Sequence, residues 1–268
     1  MTYTVAIAGL GAIGLPVARA LDAGIEGLRL VAVSARDRAK AEAKLAGLKS
    51  PVPVVGLAEL AELADVVVES IPAASFAEVA EPAIERGRLF MPLSVGVLLS
   101  RMDLVARARE TGARILVPTG ALLGLDAVRA AAEGDLRSVT MVTRKPPRGL
   151  KGAPYVVAEG IDLDVIAEPT RIFKGNAFAA AKGFPANLNV GVALSLAGLG
   201  PERTEIEIWA DPTVTRNTHR IKVEGDAARF ELTIEGVPTE ENPATGKLTP
   251  LSVIATLRGL TSPLKVGT

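Results

Sequence analysis

Thr4-Val-Ala-Ile-Ala-Gly9-Leu-Gly11-Ala-Ile-Gly14-Leu-Pro-Val-Ala-Arg-Ala-Leu-Asp-Ala23 is the stretch on which the fold turns. Its first five residues are small or apolar and rich in β-branched side chains, the pattern of a short strand buried on both faces. From Ile13 the apolar period changes to that of a helix, with Val17, Ala20 and Leu21 on one stripe. Between the two lies Gly9-x-Gly11-x-x-Gly14. After a buried strand and at the head of a helix, this spacing has a physical meaning: Gly9 permits the tight turn, Gly11 lets backbone approach a pyrophosphate, and Gly14 lets helix and strand pack closely. The turn residues Ala12 and Ile13 then offer free N–H groups at the positive end of the helix. A glycine-rich turn with no ligand is the alternative.

The same grammar continues outward. Strand patterns at 28–33, 52–55, 65–69, 89–95 and 114–117 alternate with helix patterns at 36–48, 74–86 and 101–111. Strands separated by helices imply parallel βαβ units with right-handed crossovers. After Pro118 the order changes. A helix near 122–133 leads into a strand at 137–143, and Pro146, Pro147, Gly149 and Gly152 mark a loop. Helices follow near 176–182 and 186–198. Three strand patterns at about 204–210, 217–224 and 228–235 are joined by short turns and read as antiparallel neighbours. The expectation is an α/β chain: a Rossmann-type parallel-sheet domain at 1–116, an α+β domain with an open mixed sheet at 117–241, and a tail at 242–268 whose helix returns to the first domain.

Where the second strand ends, a ribose 2′-OH would call for an acidic residue. The sequence instead has Ser34-Ala-Arg36-Asp-Arg38. A hydroxyl and a guanidinium suit a 2′-phosphate, which favours or at least admits NADP beside NAD; a solvated first helical turn is the other reading of Arg36 and Arg38. Asp37 comes a place or two late for the NAD role.

His219 is the single histidine. In Asn217-Thr-His219-Arg-Ile221-Lys-Val223 the period of two sets His219 on the face of Ile221 and Val223. It reads either as a half-buried general base or as a packed core histidine. Asn187 has the look of an N-cap, with Asn189 in the first turn behind it. Arg144-Lys145-Pro-Pro147 offers charge to a carboxylate or is an exposed strand end.

Composition excludes several classes. Lys+Arg and Asp+Glu both number 30, so there is no cationic excess to select a nucleic acid. Cysteine is absent, which removes disulfides, thiolate metal sites and a cysteine nucleophile, and no metal site is expected. No apolar run reaches the ~18 residues of a membrane span, and no basic n-region precedes Tyr3; the expected compartment is the cytoplasm.

Ser94-Val-Gly-Val-Leu98, Pro118-Thr-Gly-Ala-Leu-Leu-Gly-Leu-Asp126, Arg144-Lys-Pro-Pro147, Phe184-Pro-Ala-Asn-Leu-Asn-Val190, Asp211-Pro212 with Asn217-Thr-His219, and Asn242-Pro-Ala-Thr-Gly246 stand in an order that resembles the L-aspartate dehydrogenases. The resemblance covers nearly the whole chain. It implies NAD- or NADP-dependent oxidation of L-aspartate to iminoaspartate, which hydrolyses to oxaloacetate and ammonia or feeds NAD biosynthesis. It sets the family's active-site histidine on His219 and its cofactor contacts on Ala121 and Asn189. It further implies that the second domain forms a homodimer. On the mechanism expected for such a reaction, Asn187, Asn189 and the Thr119–Ala121 backbone would fix the carboxamide and the substrate, with Thr119 and Asn187 on the substrate side. Dimerisation is also expected because an open apolar sheet face would otherwise stay wet. Thr119 and Val97 stand where the family has serine and alanine, and the acidic residue often found at the end of strand 2 is missing. Lys145, Lys174 and Lys182 are all candidates for the substrate carboxylates. Two other readings remain at this point: a related oxidoreductase for another amine, imine or semialdehyde, and a non-catalytic dinucleotide sensor.

Overall fold

The computed structural model of the chain describes residues 2–185, 188–242 and 245–267. It divides into two units: the residues up to Gly120 together with Thr249–Val266, and the intervening segment from Ala121 to Leu248.

The first unit is built on β1 (Tyr3–Ala8), β2 (Leu28–Ser34), β3 (Val66–Glu69), β4 (Leu89–Pro92) and β5 (Arg114–Ile115). They form one sheet in the order β2-β1-β3-β4-β5, every neighbouring pair parallel. Its helices are α1 (Gly14–Gly24), α2 (Arg38–Leu45), α3 (Leu60–Leu63), α4 (Phe76–Glu85), α5 (Val95–Leu99) and α6 (Asp103–Thr111). Alternation along the strands sorts the core by size. Val5, Ile7, Leu30, Val33, Val66, Val68 and Met91 share one cluster with Val17 and Leu21 of α1. Ala6, Ala8, Ala32, Val67 and Phe90 share the other with Leu60, Phe76, Val79 and Leu104. The small β1 and β2 residues on that second face make room for Phe76 and Phe90, whose rings meet edge to face at 5.7 Å. Val253 and Leu257 of α11 (Leu248–Thr261) are fully buried in the first of these clusters.

Three local expectations are corrected. Residues 52–55 make a single parallel bridge, Val33 to Val54, not a strand; two prolines, Pro51 and Pro53, remove ladder donors there. The strand at 89 stops at Pro92, and Val95–Leu99 turns into α5. The helix expected over 36–48 runs only from Arg38 to Leu45, because Asp37 caps it: its side chain accepts from the Lys40 N–H.

The second unit carries β6 (Leu136–Lys145), β7 (Thr170–Asn176), β8 (Glu205–Ala210), β9 (Thr218–Gly225) and β10 (Arg229–Glu235), with α7 (Leu125–Ala131), α8 (Pro154–Ala158), α9 (Ala177–Gly183) and α10 (Asn189–Ala197). The sheet order is β10-β9-β6-β8-β7. It is mixed, since β6 runs parallel to β8 and antiparallel to β9. The expected pairing of the 204–210 and 217–224 strands does not occur, because β6 is inserted between them. β7 was not legible in the sequence; it is an edge strand whose residues are largely exposed. The covered face holds Val139, Met141, Ile206, Ile208, Ile221 and Val223, all nearly inaccessible. Gly191 of α10 is what lets that helix lie close, since a Cβ there would stand 2.9 Å from Met141. The opposite face is not apolar. Arg220 pairs with Glu231, Arg171 with Glu207, and Arg144 stacks on Trp209 at 4.7 Å. An exposed greasy surface is therefore not a reason for this sheet to be covered.

Candidate functional site

The first group of candidate residues lies at the carboxyl ends of β1 and β2, where open α/β sheets hold their ligands. Gly9 has φ of 93°, a conformation only glycine adopts without strain, and its N–H donates to the Ser34 carbonyl at 2.8 Å. A Cβ on Gly9 would stand 2.5 Å from the Ser70 carbonyl, and one on Gly14 would stand 1.8 Å from the Gly9 carbonyl. Gly11 differs. It is exposed, and a Cβ there would meet nothing within 4 Å. The fold needs Gly9 and Gly14 for its own packing, whereas the space kept over Gly11 serves no intramolecular contact. α1 starts with no side-chain cap and no acidic residue in its first turn, so Ala12 and Ile13 lead into a helix end unopposed by negative charge. This cradle fits a pyrophosphate.

Ser34 is buried at the end of β2, and Arg36 is exposed two residues on, with no ion pair among the described residues. Arg38 by contrast pairs with Glu42 at 2.9 Å, and the Asp37 carboxylate is engaged as the α2 cap.

The sequence reading missed one residue in this unit. Glu69, at the end of β3, is completely buried. Its carboxylate accepts from the Ile71 N–H at 3.0 Å, the Leu93 N–H at 3.1 Å, the Ser94 N–H at 3.0 Å and the Ser94 hydroxyl at 2.9 Å. It ties the loop after β3 to the loop after β4. Burial pushes its carboxyl upward, against these bonds that favour the ionised form. Ser94 opens one of the motifs quoted above, but nothing local in the sequence links it to Glu69.

The second group lies on the covered face of the second sheet. His219 pairs with Thr143 across β9 and β6, and Nδ1 lies 3.1 Å from the Thr143 hydroxyl. Lys145, two residues beyond Thr143, falls on the same face. All three are buried, His219 at 5% and Lys145 at 6% exposure. Burial, aided by the Lys145 charge, pushes His219 down to about 4, and burial pushes Lys145 down to about 8. The imidazole is thus neutral across the physiological range. Arg144 points to the other face and pairs with Asp211 at 2.9 Å. A groove of about 340 Å³ on that other face, bounded by Trp209, Arg220 and Lys222 among others, is removed from this constellation.

Thr119 is half-buried in the first unit, and the Gly120 N–H beside it donates to the Ser252 hydroxyl at 3.0 Å. Ala121 is half-buried in the second, its Cβ near Gly246. Asn189 is exposed as the first residue of α10, with Leu188 before it at the cap position, and the first two positions of the helix expected over 186–198 lie outside the described residues. Asn187 lies outside the described residues.

Comparison with known proteins follows this division. Residues 9–118 match the model of the homoserine dehydrogenase NAD binding domain, and residues 126–260 match that of the aspartate dehydrogenase C-terminal domain. An L-aspartate dehydrogenase from Bradyrhizobium diazoefficiens is 58% identical over 264 residues, covering 98% of this chain and 94% of that protein. The chain belongs to the L-aspartate dehydrogenase family. A second relative, the L-aspartate dehydrogenase of Methanocella arvoryzae, is 45% identical over 99% of this chain and 100% of its own length. Among solved structures, the aspartate dehydrogenase of Thermotoga maritima superposes over both entire chains with a TM-score of 0.72 at 23% identity. A homoserine dehydrogenase from Thiobacillus denitrificans gives 0.65 at 15% identity, over 97% of this chain and 73% of its own. These two establish the shared fold. Within the family, the two residue groups above fall one in each matched domain.

Proposed function

We propose that this chain is an NAD(P)-dependent L-aspartate dehydrogenase, interconverting L-aspartate with iminoaspartate and, after hydrolysis, oxaloacetate and ammonia. The observation that carries the reading is the pairing of an open dinucleotide cradle at Gly9, Gly11 and Gly14 with one buried neutral imidazole, in a chain of this family. Gly9, Gly11, Ala12, Ile13 and Gly14 would hold the pyrophosphate, and Ser34 and Arg36 would meet the ribose 2′ group. Ala121 and Asn189 would contact the cofactor, and Thr119 and Asn187 the substrate. The bound cofactor would supply a hydride acceptor for the substrate Cα.

The rest falls to the chain's own groups. Before Cα can release hydride, the substrate ammonium must lose a proton, so that the nitrogen lone pair stabilises the developing C=N bond. His219 takes that proton at Nε2. This requires the tautomer in which Nδ1–H donates to the Thr143 hydroxyl, leaving Nε2 as the acceptor. In the reducing direction the same nitrogen returns the proton to the imine.

The test is NAD(P)H formation with a panel of L-amino acids at alkaline pH, with both cofactors. Activity with L-aspartate is expected, and H219A should lower kcat by roughly 10²-fold while cofactor affinity stays unchanged. Turnover only with hydroxy compounds, or near-wild-type turnover in H219A, would overturn the reading. We also assign the protein to the cytoplasm and to a homodimer. No helix among the described residues is long and apolar enough to cross a membrane.

A further inference from the structure

The aspartate reading leaves open what holds a substrate that carries two carboxylates. The three lysines that the sequence offers are placed very differently. Lys174 is exposed on edge strand β7 and pairs with Glu205 at 3.0 Å. Lys182 is exposed in the last turn of α9. Lys145 is buried on the covered face of β6, two residues beyond the Thr143 that pairs with His219, and its own cross-strand partner is Ala210 of β8. The adjacent cation, Arg144, points to the opposite face and is committed to Asp211 and Trp209.

We propose that Lys145 is the residue through which this chain takes a carboxylate of its dianionic amino-acid substrate. The inference rests on the dehydrogenase reading and deepens it. Lys145 brings a positive charge to the face that presents the acid–base imidazole, and its field acts on His219. That coupling gives the arrangement a purpose beyond affinity. In the empty site the ammonium of Lys145 adds to burial, the larger cause, in suppressing the basicity of His219. A carboxylate on Lys145 offsets that charge, so the imidazole becomes a better base only when the substrate that it must deprotonate has arrived. The proton then passes from the substrate nitrogen to Nε2 of His219, and the nitrogen lone pair forms the C=N bond as hydride leaves Cα for the cofactor. Lys145 keeps its own proton throughout.

The experiment is calorimetric titration of succinate, a dicarboxylate that cannot react, into the NAD(P)⁺-saturated protein. K145Q should weaken succinate at least 20-fold while NAD(P)⁺ binding stays within twofold, and K145R, which keeps the cation, should stay within about fivefold of wild type. Succinate affinity in K145Q within threefold of wild type overturns the proposal. Should K145Q fail to bind NAD(P)⁺, the wild type decides. Above about pH 8, where Lys145 loses its proton, succinate affinity should fall about tenfold per unit. A flat profile from pH 7 to 10 overturns the proposal. Among the described residues, two other titratable groups at this end of β6 are His219 from β9 and Asp211 after β8, whose carboxylate is held by Arg144 and Thr213. Both carry a fixed charge state over that range, and α10 (Asn189–Ala197) has no titratable side chain. Absence of L-aspartate oxidation by the wild type would instead sink the dehydrogenase reading, so the two failures are separable.

Discussion

The Thr143 hydroxyl stands 3.1 Å from Nδ1 of His219, across a β6–β9 pair that joins residues 76 positions apart. A buried imidazole has two nitrogens, and the bond made by one determines what the other can do. Replacing Thr143 by Val keeps the volume and removes the acceptor. The expected result is a kcat about tenfold lower at unchanged KM for the cofactor. Because the chain holds a single histidine, ¹⁵N spectra report its tautomer without overlap. Wild type should show one tautomer, protonated at Nδ1, and T143V a mixture. An unchanged tautomer in T143V would remove the positioning role.

The depressed His219 makes stability depend on pH with a definite sign. Unfolded, the imidazole binds its proton near 6.5; folded, only near about 4. Between these values the unfolded chain holds more protons, so stability is complete above 6.5 and declines as pH falls toward 4. At about 1.4 kcal/mol per unit, the loss is on the order of 3 kcal/mol. Urea unfolding from pH 7 to 4 should show this decline in wild type and a shallower one in H219N. Parallel curves would show that the buried imidazole is not its source.

The three glycines of the turn separate packing from binding. G14A drives a Cβ to 1.8 Å from the Gly9 carbonyl, and G9A meets the Ser70 carbonyl at 2.5 Å as well as an unfavourable φ. Each should destabilise the protein by roughly 2 kcal/mol or more. G11A meets nothing within 4 Å; its melting temperature should stay near wild type while NAD(P)⁺ affinity falls at least tenfold. Cofactor affinity preserved in G11A would mean that the open space is not the pyrophosphate site.

Arg36, exposed at the end of β2, is the candidate reader of the 2′ group. Loss of a charge-assisted guanidinium–phosphate bond costs about 1.5–3 kcal/mol, so R36A should lower kcat/KM for NADP⁺ by roughly tenfold or more. The value for NAD⁺ should change by less than twofold. Equal effects on both cofactors would show that the side chain does not discriminate between them.

What the linear chain made legible was local. The β1 turn and α1 follow from an apolar run, three glycines and a change of period within twenty consecutive positions, and each of those signals acts over a single turn of backbone. The face of His219 was likewise readable from alternation with Ile221 and Val223. Where neighbours along the chain compete, the reading failed by a few residues. Pro51 and Pro53 leave one bridge where a strand was expected, and the Asp37 cap moves the start of α2.

The sequence by itself determined the βαβ plan of the first half, the dinucleotide turn and which imidazole is available. It determined these because backbone conformation and side-chain period are set by adjacent residues. The tertiary structure alone decided that β6 threads between β9 and β8, which brings Lys145 and Thr143 to His219, and that Glu69 of β3 meets Ser94 beyond β4. Strand order depends on how long-range apolar faces close over one another, and the burial that shifts His219 and Lys145 exists only after that closure.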